Sequence, residues 1–218
     1  MSSAAHSPPL TRKGRATRER LLAAARELAI ASGGHFEVAS VAEAAGVVPS
    51  LVHRYFGSKA GLVAALVDDF FDRFQREVLD LDLDDRGDWA RHERARLEAG
   101  VRFHYREPLA VVLYGALVRD PEVARRESAG VALVVQRAAR SIRKAQRRGE
   151  LPLGVDPGLA GAAMFGAMRQ VMVEALTRPR RPSPERVIAF LWRQIAASVR
   201  IDPEPRPRRG LPRQDPRS

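Results

Sequence analysis

SVAEAAGVVPSLVHRYFGSK, residues 40–59, holds two short helical patterns separated by a glycine and closed by a serine-lysine pair. Ser40-Val41-Ala42-Glu43 reads as a capping box, in which serine and glutamate satisfy each other's exposed backbone donors; Gly46 ends the helix it opens. Pro49, with φ already set for a first helical position, opens a second helix through Phe56, with Val52 and Phe56 facing inward. Helices of about two turns do not persist alone in water, so flanking helices must brace them. The pair is then a helix-turn-helix whose second member is free to lie in a major groove.

The braces stand on either side. Thr17 is predicted to cap a first helix that stops at Gly33 and Gly34, with Leu21, Ala25, Leu28 and Ala29 on one face. Ser58 caps a fourth helix on which Leu62, Leu66, Phe70, Phe74 and Val78 form a single stripe. Facing away from Val52 and Phe56, Ser50, His53 and Arg54 are able to reach DNA. Arg54 is the base-reading candidate, because arginine grips guanine through two parallel hydrogen bonds. Arg12, Lys13, Arg15 and Arg18 precede or open the first helix, where they clamp phosphates or enter a minor groove, or else stay solvated. As DNA contacts they add affinity rather than sequence choice.

The longer stretch SVAEAAGVVPSLVHRYFGSKAGLVAAL, residues 40–66, resembles the signature of TetR-family (tetracycline-repressor-like) regulators. That pattern runs from a capped helix through alanine-glycine-valine into a recognition helix ending in an aromatic group, then Ser-Lys. The resemblance covers residues 15–70 at motif level and the rest of the chain in layout and length. It implies about nine helices, a dimer and a variable effector pocket. It also implies that Ser40 holds a phosphate, that Pro49, Ser50, His53, Arg54 and Tyr55 present the recognition helix, and that Lys59 anchors to the DNA backbone. Two departures matter. Val48 stands where a capping serine is usual, removing on the order of 1 kcal/mol of cap stabilisation. His53 stands where tyrosine is common, so an operator sequence cannot be carried over from relatives.

Bulk composition bounds the function. With 218 residues, 45% of them hydrophobic, the chain can bury one large core or two small ones. The absence of cysteine excludes disulfides and thiolate metal sites. No apolar run spans a bilayer and no signal-peptide core opens the chain, so a cytoplasmic protein without a membrane partner is expected. A formal charge of +11 suits a polyanion, but only three of the 37 basic residues are lysines, a compositional bias that makes placement more informative than the sum. No catalytic, cofactor or metal set is found. There is no nucleophile elbow or phosphate-cradling glycine loop, and His92 and His104 are too far apart to form a helical metal pair. The helix-turn-helix predicts a sequence-specific transcriptional regulator, and the resemblance implies a repressor released by a small-molecule effector. A sequence-blind architectural DNA binder and an all-α enzyme are the alternatives.

The fold class is all-α, with residues 1–11 a flexible arm, 12–58 a helix-turn-helix DNA-binding domain, 59–201 a ligand-binding and dimerisation domain, and 202–218 a disordered proline- and arginine-rich tail. An acidic loop at residues 80–85 separates the halves. Further helices are expected at 89–107, broken by Pro108, and at 109–118, 121–149, 157–176 and 184–200. Arginines between 137 and 148 read as the outer face of the seventh helix or a second nucleic-acid surface. Trp89, His92, Phe103, His104, Tyr105 and Tyr114 are candidate walls of a mostly apolar effector pocket. On the eighth helix Gly158, Ala162 and Gly166 share one side. On the ninth, Val187, Leu191, Trp192 and Ile195 belong to an apolar surface wider than one core covers, which predicts a two-fold homodimer through both helices. The other possibility is that these faces fill a large monomer core. Two recognition helices would read an inverted repeat in double-stranded DNA, half-sites about one turn, roughly 10 bp, or somewhat more apart.

Overall fold

The computed structural model describes residues 11–81, 88–115 and 121–203, and all regular structure among them is helical. The expectations for residues 1–10, 82–85, 116–118 and 204–218 lie outside the described residues. The first helix, α1 (Arg12–Ala31), starts where the Thr11 hydroxyl accepts the Gly14 N–H at 3.1 Å. This corrects the start predicted at Thr17, which is buried and donates its hydroxyl to the Lys13 carbonyl at 3.0 Å. Thr11 supplies the same capping oxygen earlier, and only Gly14 weakens the intervening turn, by about 1 kcal/mol. Arg12, Lys13, Arg15 and Arg18 therefore lie on α1 itself. At its far end Gly33 and Gly34 take φ of 63° and 100°, as the sequence indicated.

Next come α2 (Val38–Ala44) and α3 (Ser50–Phe56), joined through Gly46 at φ 65°. The capping box is corrected: Glu37 is the N-cap of α2, and Ser40 lies exposed within its first turn. Burial sets this start, because Phe36 just ahead and Val41 and Ala42 one turn on all enter the core. No side chain caps α3. The Ser58 hydroxyl caps α4 (Lys59–Phe74) by accepting the Gly61 N–H at 3.0 Å, and the chain continues as a π-helical turn, Gln75–Leu79. Leu62, Leu66, Phe70, Phe74 and Val78 are all buried, each contributing about 1.5–3 kcal/mol relative to exposure.

The remaining helices are α5 (Trp89–Arg106), α6 (Leu109–Gly115), α7 (Pro121–Arg147), α8 (Pro157–Thr177) and α9 (Pro184–Ser198). Asp88, Asp156 and Ser183 cap α5, α8 and α9 through side-chain oxygens. One core joins α1 through α4 around Leu21, Val41, Val52 and Leu66 and extends to Phe103, Leu113 and Phe165. The other joins α5, α7, α8 and α9 around Val101, Ile142, Met172 and Leu191.

The fourth helix belongs to both halves. At its start Gly61 has no room for a side chain, since a Cβ there would overlap the Phe56 carbonyl oxygen; α3 and α4 are locked together. Further along, the Phe71 ring lies against the backbone of α7 at Gly130, where a Cβ would come within 2.5 Å of the ring. Arg126 of α7 pairs with Asp68 at 2.9 Å beside it.

Candidate nucleic-acid interface and effector cavity

Val52 is fully buried, which fixes the inner face of α3, while Ser50, His53 and Arg54 are exposed on its outer side. His53 Nδ1 lies 3.3 Å from the Gly57 carbonyl. Arg54 makes no hydrogen bond or ion pair among the described residues. Pro49 is exposed at the helix tip, and Tyr55 is half-buried against the first core. Arg18 stacks over Phe56 at 5.1 Å, tying α1 to α3. Lys59 reaches Glu37 at 3.2 Å and lies over Phe36, so in the free protein its ammonium is held beside α2. Neither the N-cap nor the first turn of α1, α3 or α4 is acidic, which leaves the positive ends of their dipoles uncompensated, whereas Glu37 caps α2.

The candidate pocket residues are placed differently from the expectation. Trp89 and Phe103 are buried in the two cores, and Phe103 packs edge-on against Phe70 and Phe74. His104 is buried with Nδ1 2.7 Å from the Gly100 carbonyl and Nε2 3.1 Å from the Tyr114 hydroxyl. A carbonyl only accepts, so Nδ1 carries the proton and Tyr114 donates to Nε2. Burial pushes the imidazole down to about 4, against the Gly100 hydrogen bond and the Glu107 charge, and pushes the Tyr114 phenol up. Tyr105 donates to the Pro182 carbonyl at 2.6 Å. His92 is half-buried.

The cavity lies beside them, between the end of α4, α5, α7 and α8, with a volume of about 320 Å³. Trp89, His92, Phe103, His104 and Tyr114 are not among its walls. Its apolar lining comes from Phe74, Val78, Leu97, Val134, Met164 and Phe165, with Gly161 of α8 among the walls. Arg137, read from the sequence as an outer-face residue, turns to the Leu79 carbonyl and Asp80 and joins the lining.

The ninth helix is corrected too. Val187, Leu191, Trp192 and Ile195 are all buried in the chain's own second core, so they are closed to a partner. Ala162 and Gly166 remain exposed, with Leu159 74% and Phe190 44% exposed on the same two helices. One buried ion-pair centre escaped the sequence altogether. Glu107 at the corner of α5 and α6 is 2% exposed and pairs with Arg26 and Arg73. Its only sequence signal is its position before Pro108, which marks a helix end and says nothing of burial.

Residues 21–66 match the model of the bacterial regulatory proteins, tetR family. No curated protein matches the sequence. In structure the chain is similar to a TetR-family transcriptional regulator from Rhodococcus sp., at 22% identity and a TM-score of 0.71 over 84% of this chain and 98% of that one. It is similar to NalD, the secondary repressor of the MexAB-OprM multidrug efflux pump of Pseudomonas aeruginosa (21%, TM-score 0.68, 86% and 98% covered). It is also similar to AibR, solved with isovaleryl coenzyme A and operator DNA (15%, TM-score 0.65, 84% and 98% covered). At these identities the likeness establishes the fold.

Proposed function

We propose that this chain, which matches the tetR-family model over residues 21–66, is a regulator of that family and acts as a sequence-specific transcriptional repressor released by a small molecule bound in its C-terminal cavity. The observation that carries this reading is the outward face of α3, where Ser50, His53 and Arg54 stand exposed on a helix anchored through Val52. Arg54 reads a base edge, and His53 and Ser50 adjust the register. Arg15, Ser40, Tyr55 and Lys59 hold phosphates around it. Cations at the positive end of α1 are unfavourable by about 0.3–1 kcal/mol each in isolation, and a phosphate backbone reverses the sign.

A second copy covers the exposed face of α8 and α9 around Leu159, Ala162, Gly166 and Phe190. For an obligate pair that interface buries at least about 2,000 Å². The two-fold axis then sets the α3 pair on an inverted repeat. Phe74, Val78 and Leu79 line the cavity at one end of α4, whose other end is locked to α3. A ligand that prefers one tilt of α4 therefore selects one spacing of the reading helices. Nearly complete release requires a preference of about 5.5 kcal/mol. Two structural neighbours support this mode, one the secondary repressor of an efflux pump and one solved with isovaleryl coenzyme A and operator DNA. The cytoplasm is the compartment for this role, and no described helix is long and apolar enough to cross a membrane. The role is binding rather than catalysis.

Protection mapping upstream of the chain's own gene, or selection from random duplexes, tests the reading. The expected result is an inverted repeat bound at least about a thousandfold more tightly than random DNA. Equal affinity for all duplexes, or a monomer at micromolar concentration, sinks it.

A further inference from the structure

The cavity's lining is divided by chemistry. Its buried walls, among them Phe74, Val78, Leu97, Val134 and Phe165, are apolar. Its exposed members are two cations of α7, Arg140 and Lys144, with the half-buried Arg137 and Ser141 beside them at helical spacing. Among the described residues the charges around this mouth do not cancel. Glu93 is paired with Arg96 at 3.3 Å, and Asp80 with Arg137 at 2.6 Å. Arg140 and Lys144, four positions apart, make no hydrogen bond or ion pair among the described residues. At about 320 Å³ the space is at the small end of the roughly 300–1,000 Å³ typical of ligand pockets.

We propose that the cavity takes an amphipathic anion, with an apolar chain seated among Val78, Leu97, Val134 and Phe165 and a terminal carboxylate held at the mouth by Arg140, Lys144 and the Ser141 hydroxyl. The proposal rests on reading the cavity as the effector site. Charge-assisted hydrogen bonds are about twice as strong as neutral ones, so the carboxylate gains where an alcohol of equal length does not. An amine of equal length meets two cations that pair with none of the described residues.

Calorimetry of the full chain tests this, using straight-chain carboxylates of about six to twelve carbons below their micelle concentrations, beside alkanols and alkylamines of the same lengths. The expected result is one site per chain, with the carboxylate bound at least about tenfold more tightly than its alkanol. Affinity should rise roughly fourfold per methylene until the cavity is full. The double variant Arg140→Gln, Lys144→Gln, at exposed positions, should abolish the carboxylate preference and leave alkanol affinity unchanged. Equal binding of alkanol and carboxylate by the unaltered chain overturns the proposal, as does a variant that keeps the carboxylate preference and instead loses affinity for double-stranded DNA. Operator release is scored separately. A carboxylate that binds with this profile but leaves operator DNA bound upholds the ligand class and removes the effector reading; release by other compounds, with no carboxylate bound, does the reverse.

Discussion

Arg26 and Glu107 lie 81 positions apart in sequence and meet with one guanidinium nitrogen 2.6 Å from both carboxylate oxygens. Arg73 of α4 completes the group from the other side, so one buried carboxylate ties α1, α4 and the corner between α5 and α6. Glu107→Gln leaves two guanidiniums facing a neutral amide. Destabilisation by about 3 kcal/mol is expected, at the lower end for a broken buried pair because both arginines keep some contact with water. The midpoint of urea unfolding reads it, and an unchanged midpoint contradicts it.

His104 makes stability depend on pH. Its folded value of about 4 lies below the ordinary 6.5, so the unfolded chain binds the proton more readily. The stabilisation from keeping it neutral is complete above pH 6.5 and is lost as pH falls towards 4, roughly 3 kcal/mol in all. His104→Gln should flatten that limb of the curve; an equally steep loss in the variant would assign it to other groups.

Arg54 and Lys59 should fail in different ways. Arg54→Ala is expected to cost about 1–3 kcal/mol on the operator and little on random DNA, relaxing base preference at one position. Lys59→Ala should weaken all duplexes alike and reduce the salt slope by about one. Titrations of both variants at several salt concentrations distinguish the two, and identical profiles would reject the division.

Gly166→Glu probes the partner surface without touching the core, because nothing lies within 4 Å of a Cβ at that position. Sedimentation should show a helical monomer with much weaker operator binding. A dimer of unchanged affinity would move the interface elsewhere. Leu191→Ala, in contrast, should destabilise the single chain by about 2–5 kcal/mol, since Leu191 is fully buried within it.

Local signals made the reading head legible. Gly33-Gly34, Gly46, Pro49 and Ser58 punctuate the backbone by their own stereochemistry, and Val52 and the Leu62 to Val78 stripe follow from periodicity. Where two similar caps competed, as Thr11 with Thr17, sequence alone chose wrongly, because the deciding burial lies in other helices. The same limit explains α9. Its apolar breadth was correct, but how much of it one chain covers depends on α5 and α8, and the answer was all four named residues. Glu107 depends on Arg26 and Arg73 from distant segments, a convergence that no spacing rule encodes.

The Phe71 contact at Gly130 divides the fourth helix unequally. At about 1.5 Å per residue, roughly 18 Å of rod extends from this fulcrum to Lys59 and roughly 12 Å to Leu79. A rigid lever so mounted multiplies a displacement at the cavity by about one and a half at the joint with α3. On the proposed effector reading, sub-ångström adjustments around a small guest would thus become shifts comparable with the tolerance of hydrogen bonds to base edges.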